Sequence, residues 1–354
     1  MQSWLHNYCE EDNFLKKEII DYDALYDSLI KCKCGVSWKP YVKRYNVFAT
    51  EQVYKMHDQL TKGKWKNSKP EEIEINYPKK RIGYSIPFRD RVYQRNINDF
   101  VLYPKAQKRL IKGNCACQKG KGTSYAINLA KQYMRSFYCR YKQDGYVCQI
   151  DIHKYYQSMS HDLLKQKYKE LIKDDEVYEM VSDVLDSQAD KTGYRPGSQM
   201  IQIAGIYMLN DLDHYIKEHL HEKYYIRYMD DFWILSHDKE SLEKHLYLII
   251  RYLKIMGFEV NESKTHIKKI SQSFTFLGFV FRQSPTGKII MTLKSSCIKH
   301  ERNKLARAVA KAKKGLMSRQ KVDDMYNSWK SYARNGNTYR MLQRMDKYYN
   351  DLWR

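Results

Sequence analysis

The sequence predicts an α+β fold in which short antiparallel strands alternate with amphipathic helices. Three observations lead there. Residues 223–237, KYYIRYMDDFWILSH, set β-branched and aromatic residues on both sides of Met229, Asp230 and Asp231, the pattern of two short strands joined by a tight turn. A second run, FTFLGFVFRQSPTGKIIM, has the pattern of a hairpin across the Pro285–Gly287 turn. Helical spacing dominates elsewhere, most strongly in KESLEKHLYLIIRYLKIMG, which stops at Gly257.

Each remaining element follows from its own pattern. Residues 10–60 carry Tyr, Leu and Ile at the spacing of two or three short helices, and the polar TKGKWKNSKPEE after them has the composition of a loop. The stretch IEINYPKKRIGYSIPFRDRVYQRNINDFVLYP begins with the alternation of a strand or hairpin. It turns helical after Pro87, with Arg89, Asp90 and Arg91 in the first turn. CACQKGKGTSYAINLAKQYMRSFY is a Gly/Lys-rich turn leading into an amphipathic helix, and GYVCQIDIHKYYQSM is a strand whose polar end passes into a helix around SHDLLKQKYKELI. PGSQMIQIAGIYMLNDLDHYIKEHL predicts one long helix from the spacing of Ile203, Ile206, Tyr207 and Leu209. From about Lys294 onward the chain is helical and basic, and no internal repeat or low-complexity tract interrupts it.

Composition narrows the class of partner. The 354 residues carry a formal net charge of +22 and are 43% apolar, enough for a globular chain of two or three subdomains. Thirty-two tyrosines among 63 lysines and arginines offer cations and flat amphipathic rings, which follow phosphates and stack on bases, so a polyanionic partner is expected. No apolar run approaches the roughly 20 residues that span a bilayer. The opening MQSWLHNYCEEDNF lacks the basic and apolar regions of a signal peptide, so the expectation is a soluble, cytoplasmic protein with no membrane partner. Eight cysteines are too sparse for a disulfide framework. The pairs Cys32/Cys34 and Cys115/Cys117 are spaced more tightly than usual zinc ligands and no His pair follows, so reduced thiols in ordinary packing are expected.

The carboxylates carry the chemistry. An unpaired buried carboxylate is among the most expensive groups a protein can hold, yet Asp230 and Asp231 sit in an apolar hairpin. Asx residues favour tight turns, which accounts for part of their placement. The order of elements brings Asp151, at the end of one strand, to the hairpin tip at one edge of an antiparallel sheet. Three carboxylates there repel and raise one another's pKa unless a cation holds them. Hard, oxygen-ligated Mg²⁺ fits, with Mn²⁺ as a substitute. Two such ions about 3.5 to 4 Å apart are the polymerase and nuclease solution for activating a hydroxyl and stabilising a leaving oxyanion.

At this point the residues resemble a known family, the reverse transcriptases. Tyr228-Met229-Asp230-Asp231 matches the family's catalytic tetrad, and Asp151 followed five positions later by Tyr156 matches its first palm motif. Residues 257–264, GFEVNESK, match the segment that carries a lysine near the triphosphate, and Phe276-Leu277-Gly278-Phe279 matches the primer-grip hairpin. Lys80, Arg81 and the run Gln118-Lys119-Gly120-Lys121-Gly122 fall where the family's fingers hold the incoming nucleotide's phosphates. The match covers roughly residues 75–290.

The resemblance implies a right-hand polymerase: an N-terminal helical extension over 1–70, fingers over 71–150, an antiparallel-sheet palm over 151–290 with a helical insertion at about 160–195, and a small basic helical thumb over 291–354. It also implies roles. Asp151, Asp230 and Asp231 are the catalytic carboxylates and, with Ile152, the metal positions. Lys80, Arg81, Lys119, Lys121, Gln202 and Lys264 face the nucleotide, and Tyr156 is a steric gate against a ribose 2′-hydroxyl. Tyr228, Met229, Phe276, Leu277 and Gly278 meet the nucleic acid. Other readings stay open beside these: a solvated Lys/Gly loop for Lys119 and Lys121, a surface lysine for Lys264, and core packing for Tyr156.

The implied activity is RNA-directed DNA synthesis, in which a primer 3′-hydroxyl attacks the α-phosphate of a deoxynucleotide. The implied partners are an RNA template of a dedicated, structured non-coding kind, deoxynucleotides, the DNA product, and an accessory protein or oligomer. The compact layout and the RYMDDFWILSHDKE run are similar to prokaryotic enzymes of retron, group II intron and diversity-generating type, and to the abortive-infection and unknown-group defence lineages. In Pro196-Gly197-Ser198-Gln199-Met200-Ile201-Gln202, Ile201 stands where many relatives have serine, and the Gly-Ser-Gln form favours an anti-phage defence role over a diversity-generating one. Two readings of other classes compete: an RNA-binding scaffold with a vestigial site, which has no reason to keep three repelling carboxylates, and a two-metal nuclease, which explains neither Tyr156 nor the primer-grip hairpin.

Overall fold

The computed structural model describes residues 16–75, 81–187, 192–194, 197 and 199–354. Helices α1 (Lys16–Ile19), α2 (Tyr22–Lys33), α3 (Pro40–Val47) and α4 (Ala49–Thr61) come first, then the hairpin of β1 (Glu71–Ile75) and β2 (Arg81–Ser85). Helix α5 (Phe88–Ile97) runs through a π-helical turn, Asn98–Leu102, into α6 (Tyr103–Gln107). Helix α7 (Thr123–Tyr141) leads to β3 (Tyr146–Asp151), followed by α8 (His161–Leu171), α9 (Asp175–Asp186), α10 (Gln199–Tyr207) and α11 (Asn210–His214). After a second π-helical turn, Tyr215–His219, come β4 (Tyr224–Tyr228), β5 (Asp231–Ser236) and α12 (Lys239–Ile255). Strands β6 (His266–Lys269), β7 (Phe274–Phe276), β8 (Phe279–Gln283) and β9 (Ile289–Leu293) precede helices α13 (Ser295–Lys313), α14 (Arg319–Ala333) and α15 (Tyr339–Trp353).

These elements form two compact units that interleave along the chain. The first comprises Met1–Gln118, Ile152–His219 and Leu248–Asn261, and the second Lys119–Asp151, Leu220–Tyr247 and Glu262–Arg354. In the first, α2, α4 and α5 bury Leu25, Leu29, Val53, Met56 and Val92, and β1 and β2 pair antiparallel from Glu71↔Ser85 to Ile75↔Arg81. Side-chain caps start its later helices: Ser160 Oγ accepts from Leu163 N at 3.3 Å, and Asp174 accepts from Val177 N at 2.9 Å.

The second unit holds the larger sheet, ordered β4-β5-β3-β6 with every pairing antiparallel. Helix α7 lays Ala126, Ile127, Ala130, Met134 and Phe137 inward, and Phe137 and Tyr133 meet Tyr224 of β4 edge-on at 5.6 and 5.8 Å. A separate sheet, β7-β8-β9, is joined to β3 where Gln149 donates to the Thr275 carbonyl at 2.6 Å, and Trp233 packs edge-on against Phe274 and Phe276. Helices α13 to α15 close around Leu305, Val309, Val322, Tyr326, Met345 and Tyr349.

Two sequence expectations are corrected. The single helix expected over residues 196–220 is broken after Tyr207, with Leu209 at φ −94° and ψ 13°. Buried Asn114 is the physical reason: its amide donates to the Ile206 carbonyl at 3.3 Å and to Asp213 at 3.4 Å, and a side chain inserted into the carbonyl ladder ends regular winding. The expected single hairpin around Pro285–Gly287 is a three-stranded meander, because Leu277 and Gly278 form a further turn with φ of 49° and 80°. The helices expected over residues 10–60 number four among the described residues, while 10–15 lie outside them. The described cysteines are free, and no helix among the described residues is long and apolar enough to cross a membrane.

Candidate functional site

The second unit brings three of the expected carboxylates to one end of its sheet. Strand β3 pairs with β5 from Tyr146↔Ser236 to Asp151↔Asp231, so the last residue of one strand lies directly opposite the first of the other. Strand β4 pairs with β5 from Tyr224↔Leu235 to Tyr228↔Asp231, leaving Met229 and Asp230 as a two-residue turn. Like charges directly opposite across a sheet repel. Burial, reinforced by Asp151 and Asp230, pushes the Asp231 carboxyl up to about 7, and burial with Asp151 also raises Asp230.

The turn itself is strained and braced. Met229 takes φ +60°, where a two-residue hairpin usually has glycine, and an L residue there pays about 1 kcal/mol or more. Arg227, fully buried in β4, donates to the Met229 carbonyl at 3.0 Å and fixes the turn from below. Its charge also offsets part of the rise at Asp230.

Lys264 supplies the nearest counter-charge. Its Nζ lies 3.0 and 2.8 Å from the two carboxylate oxygens of Asp151, while the Asp151 backbone N–H points to Thr265 Oγ1 at 3.5 Å. The hydrogen bond to Asp151 raises the Lys264 ammonium above its ordinary range, with Asp230 and Asp231 adding to it. Lys294, just before α13, lowers Asp231 electrostatically.

The donor chemistry suits a hard dication, since three carboxylate side chains converge at one sheet end, where burial first and the neighbouring Asp151 and Asp230 second raise the Asp231 carboxyl. In the arrangement described, the Lys264 ammonium holds Asp151, and no three His, Cys, Asp or Glu side chains among the described residues are already grouped as a metal site.

The other expected site residues fall as follows. Tyr228 ends β4, and Phe276, Leu277 and Gly278 form the end and turn of the β7–β8 hairpin in the same unit. Lys119 and Lys121 precede α7, with the Lys121 ammonium 5.7 Å from the Tyr125 ring. In the first unit, Ile152 bridges Val260, Gln202 is exposed on α10, and Tyr156 rests against Gly205 of α10, where an added Cβ would come within 2.6 Å of its hydroxyl. Arg81 opens β2 in that unit, and Lys80 lies outside the described residues.

A family model described as "Reverse transcriptase (RNA-dependent DNA polymerase)" matches residues 70–281, more than half of the chain. The chain belongs to the reverse transcriptase family. Among solved structures it is similar to telomerase from Candida albicans in complex with the TWJ fragment of telomeric RNA, at 13% identity and a TM-score of 0.49, over 68% of this chain and 49% of that one. The chain thus spans about half the length of that structure. No curated protein matches it. The α+β fold with antiparallel sheets accords with the family's palm.

Sequence reasoning missed three residues that contact or act on these candidate positions. Arg227 had a visible signal, a lone cation inside the apolar run YYIRY. Lys294 had none, being one of many lysines. Tyr332 of α14 donates to the Leu277 carbonyl at 2.8 Å and would lie 2.3 Å from any Cβ at Gly278, a contact 55 residues apart in sequence that no local pattern announces.

Proposed function

We propose that this chain is an RNA-directed DNA polymerase that extends a primer on an RNA template with deoxynucleotides. The observation that carries the reading is the register Asp151↔Asp231 with Asp230 in the adjoining turn, which gathers three carboxylates on one rigid sheet end at a large electrostatic cost. Asp151, Asp230 and Asp231, with Ile152 next to Asp151 in sequence, would hold two divalent cations, Mg²⁺ by preference. Such ions supply activation of the primer 3′-hydroxyl and stabilisation of the leaving pyrophosphate oxygen.

The chain's own groups do the positioning. Arg227 holds the turn so that Asp230 and Asp231 keep one geometry through the reaction, the kind of preorganisation that lowers a barrier without new bonds. Lys264 neutralises Asp151 before substrate enters and offers the same ammonium to the triphosphate once it is there. Lys119 and Lys121, with Lys80 and Arg81, add cations for the triphosphate, and Gly120, at φ 73°, gives the loop a backbone that can approach phosphate closely. Tyr156 is assigned the sugar gate from its place five residues past Asp151, and Gln202 a place beside the nascent pair. Tyr228, Met229 and the Phe276–Gly278 turn are assigned to the primer and template strands. We assign residues 71–150 to fingers, 151–290 to palm and 291–354 to thumb.

The biological setting we infer is prokaryotic anti-phage defence with a dedicated structured RNA, supported by the Gly-Ser-Gln form of residues 197–199 and the RYMDDFWILSHDKE run. Sequencing tests the polymerase and template parts of this reading: the protein is purified with the RNA it carries, given Mg²⁺ and labelled deoxynucleotides, and the bound RNA and any new DNA are read. DNA complementary to one co-purifying RNA is the expected result. No DNA from protein that still holds RNA overturns the polymerase reading in favour of a binding role.

A further inference from the structure

Between Asp27 and Glu51 the chain has no carboxylate side chain, and Lys31, Lys33, Lys39, Lys43 and Arg44 fall in that stretch. The same stretch exposes large rings: Trp38 is 69% exposed and Phe48 56%, with Tyr41 at 38%. The exposure follows from how α3 is seated. Val42 is buried and Tyr45 packs edge-on against Phe88 at 5.1 Å, so Lys43 and Arg44 point outward, Tyr41 stands at the rim of the seated face, and Phe48 follows just past the last residue of the helix.

Two of these rings, Trp38 and Tyr41, are held by named contacts. The Trp38 indole N–H donates to the Gly35 carbonyl at 3.2 Å. The Tyr41 hydroxyl accepts from Arg91 at 3.2 Å, and its ring meets Phe88 edge-on at 6.4 Å. Lys39 Nζ sits 5.7 Å from the Trp38 ring and 5.9 Å from the Tyr41 ring, placing a cation between two flat surfaces. Rings interleaved with cations match the alternation of base and phosphate along an unpaired strand, and the nearest carboxylate in sequence after Phe48, Glu51, is paired with Lys55. A duplex offers its bases only at its ends, so stacking on these rings selects single strands.

We propose that Trp38, Lys39, Tyr41, Lys43, Arg44 and Phe48 form a docking face for single-stranded RNA, in the first unit, additional to the carboxylate site of the second. The face does not depend on the polymerase reading, because none of its residues belongs to the nucleotide or primer sites. It gives the protein a second hold on an RNA whose unpaired segment need not be the segment being copied.

The test uses the full-length protein and a single-stranded oligouridine of about 12 nucleotides carrying 4-thiouridine, a length within the span of single-strand sites. Photocrosslinks mapped by mass spectrometry are expected at Trp38, Tyr41 or Phe48, and they persist in the Asp230→Asn background. Replacing Trp38→Ala with Phe48→Ala is expected to abolish those crosslinks and weaken binding by about tenfold or more. The pair Lys43→Glu and Arg44→Glu, which leaves the rings in place, is expected to flatten the salt dependence of binding. All the altered side chains are outward-facing, so an unchanged melting temperature accompanies each result. Crosslinks confined to other regions, with affinity unchanged in both double variants, overturn the proposal and leave the face to a protein partner.

Discussion

Asp231 carries the heaviest electrostatic load in the site, and its titration makes a testable signature. Its carboxyl sits at about 7 in the folded protein against an ordinary value of 3.8. A raised carboxyl pKa means the folded state binds more protons than the unfolded one between those values, so stability falls as pH rises through 7. The metal-free protein is therefore expected to melt at a lower temperature at pH 8 than at pH 6, and Asp231→Asn is expected to flatten that slope. A divalent cation is expected to raise the melting temperature more at pH 8 than at pH 6, because only the ionised carboxylates bind it. Arg227 acts on the same site through the turn. Arg227→Met keeps most of the buried volume but removes the bond to Met229 and a positive charge near Asp230, so primer extension is expected to fall about tenfold or more while nucleic-acid affinity holds. Steady-state kinetics should place that loss in kcat. For the sugar gate, Tyr156→Ala is expected to admit ribonucleotides. Unchanged sugar discrimination in that variant would remove Tyr156 from the role.

At the scale of elements, the two tight turns decide how precisely the sheets present their tips. Gly278, at φ 80° and with Tyr332 against it, tolerates no side chain. Gly278→Ala is expected to destabilise the protein by about 1 to 3 kcal/mol, read by denaturant unfolding. Tyr332→Phe, which loses only the bond to Leu277, should cost about 1 kcal/mol. The elements that the sequence made legible were those whose period and boundaries agree locally. The β4–β5 hairpin, the strand ending at Asp151, α7 after its Gly/Lys turn and α12 ending before Gly257 all combine a clear apolar period with a turn or cap. The break after Tyr207 was not legible, because it is imposed by Asn114, 92 residues away from the Ile206 carbonyl it takes. The Leu277–Gly278 turn was not legible from local periodicity, where only the single glycine marked it, but it falls on the Phe276–Phe279 segment that the family resemblance matches to a hairpin. In the candidate site the three aspartates were legible for the same local reasons. Their spacing across β3 and β5 followed from element order, whereas the pairing of Lys264 with Asp151, across 113 residues, came only from the fold.

For the molecule as a whole, a charge of +22 sets the terms of binding. Lysine and arginine contacts to phosphate release counterions, so affinity for RNA is expected to fall steeply between low and physiological salt. The carboxylate end of the β4-β5-β3-β6 sheet is the exception to that basic character, and a binding protein would have no use for it. The two properties come apart in one experiment: primer extension on an RNA template with Mg²⁺, run beside an RNA-binding titration at the same salt, for the wild type and Asp230→Asn. The account predicts that the variant binds RNA as tightly as the wild type, or slightly more tightly for the loss of a negative charge, while incorporation of deoxynucleotides disappears. Incorporation that survives in Asp230→Asn would contradict it, as would binding and incorporation lost together, which would make the aspartate a structural residue.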